Sequence, residues 1–371
     1  MTTWRQRSNG DVRQSRASEE KGWNSLVTDD NSDRYLVTGA LGALGAWTIR
    51  HLLDAGVSVI AHDVATSPDR LRLLIDDHDL SRVAFVAGDV ADIDGLERVV
   101  GDRGVTHIIH LAALQVPFVR ANPVLGATVN VVGTTAVLEV ARRHMDQIRG
   151  VTYASSGGVY SPEDANPGQP LTLDTRIRPP TLYGVFKSAN EGTAEIYWRE
   201  HGLSSICLRP CGIVYGPGRD QGNTSPPSKA MLAAAIGCDY YIPWGGRTVF
   251  EHASDVAMAF VQAARAQPGR HYVFNLGGAV SSVADVVAAI EDTEPAMAGR
   301  IAVGSDTVVG PVEVDETDLT QLVGAVRWRP IRTGVAETIS TLKAAIERGA
   351  LDADAIRLRL AAETQSAPTT G

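Results

Sequence analysis

Cysteine is scarce. The 371 residues hold three, Cys207, Cys211 and Cys238. An odd number without a C-x-x-C pair excludes a disulfide framework, and a reduced, cytoplasmic setting is the expectation. Positive charge is also short, with 34 Lys+Arg against 43 Asp+Glu and a net charge of -9. No basic block offsets it, so no nucleic-acid partner is expected, because phosphate neutralisation needs clustered Lys and Arg. No apolar run approaches the ~18 residues that cross a bilayer, so no membrane partner is expected. The N-terminus mixes Arg5, Arg7, Asp11 and Arg13 with no apolar stretch behind them, which is not a secretory signal. Nine histidines without H-E-x-x-H or comparable spacing imply no metal. Ser155-Ser156 lacks a G-x-S-x-G elbow, which disfavours a hydrolase. Only 18 prolines stand against 36 glycines, a ratio that suits tight βα turns better than a Pro-rich linker. A hydrophobic share of 44% excludes wholesale disorder.

What is present is an alternating pattern. Short apolar runs (YLVTGA, VSVIAHD, RVAFVAGDV, VTHIIHLAA, IRGVTYASS, SSICLRPCGIVYG) are separated by segments of helical spacing, among them ALGAWTIRHLLDAG and LYGVFKSANEGTAEIYWREHG. Such alternation predicts an α/β fold with a doubly wound parallel sheet and right-handed crossovers. Residues 1–33 read as a mobile tail, with Trp4 and Trp23 unusual in it. Residues 34–215 read as the sheet domain. Residues 216–350, where the rhythm loosens, read mainly as a smaller, partly interleaved lobe over the carboxyl ends of the strands. Residues 351–371 read as a C-terminal tail.

Thr38-Gly39-Ala40-Leu41-Gly42-Ala43-Leu44-Gly45 follows the first strand and opens the first helix. Glycines permit a tight turn and close backbone approach to a pyrophosphate, and the helix N-terminus supplies free N–H groups and partial positive charge. Asp63 ends the second strand, 24 residues after Gly39. A carboxylate there accepts hydrogen bonds from an adenosine ribose and repels a 2′-phosphate, which favours NAD over NADP. Asp89, ending the third strand, either meets the adenine edge or caps the following turn.

Tyr183 and Lys187 stand four apart, on one face of a helix. An adjacent ammonium is expected to lower the tyrosine pKa and make it an acid/base near neutral pH. Ser156, 27 residues upstream at the end of a strand, is placed to hold a substrate hydroxyl or carbonyl against that phenol. These are the parts that hydride transfer with a nicotinamide requires.

TGALGALG, Asp63, GDV, His110-Leu111-Ala112-Ala113, NVVGT, SSGGVY, the Tyr183/Lys187 pair and LRPCGIVYGPG occur in one order. Together they closely resemble the extended short-chain dehydrogenase/reductase family, the NAD-dependent epimerase/dehydratase group. The resemblance runs from about Tyr35 to about Leu342. It implies a Rossmann-type sheet with a smaller C-terminal substrate-binding lobe. Ser156, Tyr183 and Lys187 would form the catalytic set. Gly39, Leu41, Gly42, Ala43, Leu44 and Gly45 would cradle the cofactor, Asp63 its ribose, and Asp89 and Val90 its adenine. Leu111, Ala112 and Ala113 would line its cleft, with Asn130, Ser155, Pro210 and Ile213 completing the cofactor set, Tyr183 also within it and Lys187 also on the nicotinamide ribose. Gln115, Ser156 and Gly157 would face substrate.

The departures matter. Gly157-Gly158 stand where dehydratases of the group carry an Asp-Glu pair, which disfavours dehydration. Cys211-Gly212-Ile213 lacks the Asn that anchors UDP in many of its epimerases. The loop GPGRDQGNTSPPSKAM offers Arg219 and Asn223, and a later strand offers Arg247, for a polyol, carboxylate or phosphate, unless these are simply solvated. The expected function is epimerisation of a sugar or sugar derivative through transient oxidation of a carbinol with NAD. Net dehydrogenation of a sugar, sugar acid or other secondary alcohol is the alternative, and a non-catalytic NAD-binding regulator a remote one. The resemblance also implies a homodimer through the two long helices, around Asn130 to His144 and Tyr183 to His201.

Overall fold

A computed structural model of the chain describes residues 32–164, 169–266, 268–308 and 310–365. The expected N-terminal tail to residue 31, with Trp4 and Trp23, lies outside the described residues. Asp33, placed in that tail, belongs to the body: it is buried and accepts from Arg149 at 2.7 Å.

Seven strands form the central sheet: β1 (Arg34–Thr38), β2 (Ser58–Asp63), β3 (Val83–Ala87), β4 (His107–His110), β5 (Gly150–Ala154), β6 (Ser205–Pro210) and β10 (His271–Leu276). Their order is β10-β6-β5-β4-β1-β2-β3 and every pairing is parallel. A sheet covered on both faces demands apolar strands, and in β1 Tyr35, Leu36 and Val37 are wholly buried. The strand order reverses between β1 and β4. Their carboxyl ends therefore diverge into a crevice, the usual ligand site of such sheets.

Helices α1 (Ala43–Asp54), α2 (Ile93–Arg103), α3 (Gly133–Arg143) and α4 (Leu182–His201) cover the sheet. A five-residue π turn, Thr128–Val132, runs into α3. The whole segment Pro123–Arg143 is a 21-residue helix, long and apolar enough by composition to cross a membrane. That departs from the expectation of no such run. Here half of the stretch is buried, with Val137, Leu138 and Val140 packed in the core beside β4 and β5.

The remaining elements build the lobe: β7 (Ile213–Tyr215), α5 (Pro226–Ile236), β8 (Tyr240–Gly245), β9 (Arg247–His252), β11 (Ala279–Ser282), α7 (Val283–Thr293), β12 (Ile301–Thr307) and α8 (Ile331–Glu347). It has its own core around Tyr215, Met231, Phe250 and Ile339. Between them, α6 (Ala253–Arg265) packs its Val256, Phe260 and Ala264 into the sheet-domain core. The stretch expected as a loose C-terminal tail is instead helix α9 (Ala353–Gln365). Ile356 and Leu360 are buried in the lobe core, and Glu363 pairs with Lys229 at 2.7 Å. The tail expectation fails because two apolar residues four apart give the segment a face to bury.

Candidate active site

The loop Gly39–Gly45 sits at the mouth of the crevice. Gly39 adopts φ +66, and a Cβ there would lie 2.6 Å from the Ala112 nitrogen. Only glycine lets the β1 loop and the β4 end approach so closely. A Cβ on Gly45 would strike the Gly39 carbonyl. The first-turn N–H groups of α1, which begins at Ala43, have no intrahelical acceptors and open outward, with Gly42 as the cap. Asp63 receives Leu41 N–H and Ala65 N–H, one on each carboxylate oxygen, both at 2.9 Å. Each oxygen keeps capacity for a second donor, as a ribose diol requires. Arg70, the nearest cation along the chain, bonds the Leu41 carbonyl at 3.2 Å and is neutralised by Asp220 at 2.9 Å. It is not free to receive a 2′-phosphate. The cradle thus fits a dinucleotide carrying a free ribose diol.

The expected catalytic set comes together around a close contact. Thr181 caps α4, accepting from Gly184 N–H at 3.2 Å. A Cβ on Gly184 would strike the Gly158 carbonyl, so the helix start lies flush on the turn Gly157–Val159. That contact sets Tyr183 against Ser156. Ser156 Oγ accepts from Gly158 N–H at 3.0 Å and keeps its own proton to donate. Lys187 is buried, donates to the Ala154 carbonyl at 2.7 Å, and holds its ammonium 5.7 Å from the Tyr183 ring centroid.

The electrostatics differ from the sequence expectation. Burial pushes the Tyr183 phenol up; the groups that pull it down are Ser156, through a hydrogen bond, and Arg219, through its charge. Burial strips the Lys187 ammonium of solvation and brings its own pKa down to about 8. The carboxylate of Glu191, one turn further along α4, supports the charged form.

Several expected contacts are redirected. Ser155, expected at the cofactor, gives its hydroxyl to buried Glu191 at 2.5 Å. Asn130 is fully buried; its amide donates to the Leu114 carbonyl and accepts from Leu114 N–H, at 2.9 and 2.7 Å, so it braces the cleft wall rather than touching cofactor. Ile213 packs in the lobe core and Val90 against Gly133. Gly157 lies against Cys211, where a Cβ would come 2.8 Å from the Cys211 Cα, so the glycine serves this close backbone contact. Asp89 stays exposed and accepts from Ala91 N–H at 2.9 Å, while the cap of the following helix is Asp92, which accepts from Gly95 N–H. Leu111, Ala112, Ala113 and Pro210 stand half-buried at strand ends facing the crevice, and Ala43 and Leu44 begin α1.

Among the substrate candidates, Gln115 and Arg219 meet at 3.1 Å. Arg219 also donates to the Gln221 carbonyl at 2.7 Å and to Thr224 at 3.0 Å. Asn223 remains exposed, and Arg247 lies exposed at the start of β9 opposite Ser282, so neither joins the cluster. Beyond Arg219 a cavity of about 380 Å³ opens, bounded by Leu41, Arg70, Lys229, Leu351 and Arg359. Ser156, Tyr183 and Lys187 do not line it.

A network was not foreseen from sequence. Glu191 receives both ends of the Arg209 guanidinium at 2.7 and 2.6 Å, Arg209 donates to Tyr160, and Tyr160 donates to Asn275 at 2.9 Å. Asn190 of the same helix donates to the Asn130 carbonyl at 2.8 Å. The available signal was spacing: Asn190 and Glu191 stand three and four residues after Lys187 and share its inward face.

The model of the NAD dependent epimerase/dehydratase family matches residues 35–277. A UDP-glucose 4-epimerase of Mycolicibacterium smegmatis is 29% identical over 321 residues, 82% of this chain and 97% of its own. A mitochondrial L-threonine 3-dehydrogenase of Sus scrofa is 31% identical over 212 residues, 56% of this chain and 53% of its own. The UDP-glucose 4-epimerase of Thermus thermophilus, solved as a complex with NAD, shares the fold with a TM-score of 0.69 at 24% identity, over 84% of this chain and 99% of that one.

Proposed function

This chain belongs to the NAD dependent epimerase/dehydratase family, and from that premise we propose that it epimerises a sugar or sugar derivative by transient oxidation of a carbinol. The observation that carries the reading is the meeting of Ser156, Tyr183 and Lys187 at the carboxyl end of β5, the same sheet edge on which the Gly39–Gly45 turn leaves β1. Bound NAD supplies the acceptor and return donor for a hydride. The residues do the rest. Tyr183 takes the hydroxyl proton, helped by the Arg219 charge and by Ser156. Ser156 holds the reacting oxygen. Lys187, fixed on the Ala154 carbonyl, orients the nicotinamide ribose and stays cationic below about pH 8. Gly39 to Gly45 and Asp63 hold pyrophosphate and ribose.

If the keto product turns over and is reduced on its other face, the outcome is inversion. If it leaves, the enzyme is a dehydrogenase, a reading that the likeness to L-threonine 3-dehydrogenases supports. A panel of sugars and nucleotide sugars, read by NADH absorbance and product NMR, separates them. Inversion without NADH release is expected; stoichiometric NADH overturns it in favour of net oxidation.

The protein is further read as a homodimer. Val185 and Ile196 on α4 and Val132 before α3 are 44%, 47% and 52% exposed, an apolar face suited to helix pairing. A monomeric mass at micromolar concentration would contradict this. Cytoplasmic location rests on cysteine usage, since Cys207, Cys211 and Cys238 are all free thiols.

A further inference from the structure

The guanidinium of Arg219 has an unusual set of partners. Its acceptors are the Gln115 amide oxygen, the Gln221 carbonyl and the Thr224 hydroxyl, all neutral. Its Nε–H is buried without a partner. Among the described residues no carboxylate lies within ion-pair distance of it, and burial pulls its pKa down. A desolvated cation without a counter-charge is costly, and proteins keep such a group where a ligand neutralises it.

The neighbouring charges are already matched. Asp220, next in sequence, is turned to Arg70 at 2.9 Å. Lys229 is taken by Glu363. Arg359 lies 3.9 Å from the other Asp220 oxygen, whereas the Arg219 guanidinium has no carboxylate partner among the described residues. It stands close enough to Tyr183 for each to shift the other's proton affinity. Gln115, whose wall is fixed by the Asn130 clamp on Leu114, places a further amide donor beside it; among the described residues that amide nitrogen has no acceptor. Gly222, at φ +89, fits the loop tightly over Gln115, since a Cβ would strike its amide oxygen.

Resting on the reaction read above, we propose that Arg219 and Gln115 form a carboxylate subsite, so that the substrate is a sugar acid or related hydroxy acid rather than a neutral sugar. A guanidinium edge and an amide N–H match the planar fork of a carboxylate. On this proposal the carboxylate and the reacting carbinol belong to one small molecule, held by Arg219 and Gln115 at one end and by Ser156 and Tyr183 at the other.

The test compares matched pairs with the full-length enzyme and NAD: D-galacturonate against D-galactose, and D-gluconate against D-glucitol, with UDP-glucose as a separate arm. Each is read by NADH absorbance and product NMR. The acid member should be favoured in kcat/KM by about 100-fold, the discrimination a charged hydrogen-bonding subsite supports. Arg219→Gln should bring the acid-to-neutral ratio close to one, and Arg219→Lys should retain part of it. If Arg219→Gln does not fold, melting of Tyr183→Phe with NADH decides: the acids should raise Tm and the neutral partners should not. Neutral sugars or UDP-glucose used as well as the acids, or a ratio that survives Arg219→Gln, overturn the subsite and leave the epimerase reading standing. No turnover of any probe by an enzyme that binds NAD, with no Tm response to acid, overturns both.

Discussion

Tyr183 lies between opposing influences: burial raises its pKa, while the Ser156 hydrogen bond and the Arg219 charge lower it. Its hydroxyl is the only acid/base group the mechanism assigns to the reacting oxygen. Tyr183→Phe should therefore lower kcat by about 10²- to 10⁴-fold, the usual contribution of a positioned proton-transfer group. NAD affinity, measured by fluorescence quenching with NADH, should stay within about threefold, because the phenol is not part of the phosphate cradle. Asp63 governs a different choice. With both oxygens aimed by Leu41 and Ala65 N–H groups, its carboxylate repels a 2′-phosphate. Asp63→Asn should lower the NAD-to-NADP preference in kcat/KM by at least about tenfold, since it removes the charge and leaves the size. Tighter binding of NADP than NAD by the wild type would refute the assignment.

At the scale of elements, the site depends on how α4 meets the turn after β5. Gly184 has no side chain because the Gly158 carbonyl occupies the place of its Cβ. Gly184→Ala must lift the helix start by some tenths of an ångström and part Tyr183 from Ser156. Misplacement on this scale costs about 10- to 100-fold in kcat. The substitution should also lower the melting temperature, through backbone overpacking. An unchanged kcat would show that the flush contact is dispensable. The far end of the same helix face is anchored by Asn190 on Asn130 and by the Glu191–Arg209 pair. Thus α4 carries the catalytic tyrosine at its exposed start and its anchors deeper in the fold. The element pattern itself was readable: apolar runs alternating with helical spacing predicted the parallel sheet, and the Gly39–Gly45 loop was placed at the strand-to-helix turn it occupies. Helix α9 was missed because its apolar residues are few and acquire meaning only against the lobe core.

Across the whole molecule, burial of histidines sets the acid limit of stability. His51 and His107 are held down to about 4 and His110 to about 3, chiefly by desolvation. Below about pH 6.5 the unfolded chain takes up protons at these rings and the folded chain does not, so stability is lost as pH falls from about 6.5 toward 4. Asp255, raised to about 6 by burial, and Glu251 and Glu316, also raised by burial, work the other way, but they stand against six histidines, since burial also lowers His62, His252 and His271. Thermal melts should show Tm falling by at least about 5 °C between pH 6.5 and 4.5. A flat profile would mean that the rings protonate in place. The sequence by itself determined the family, the sheet and the glycine-rich turn after β1, and it named Ser156, Tyr183 and Lys187 as candidates, because each rests on local spacing and strand-to-helix order, which the chain carries explicitly. Only the tertiary structure decided that Ser155 bonds Glu191, that Asn130 clamps Leu114, that Ile213 belongs to a second core, and that Ser156 and Arg219 draw down the Tyr183 phenol. Those outcomes depend on which groups distant segments place within a few ångströms of each other, and on what burial removes from water. Neither is a property of any one segment of the chain.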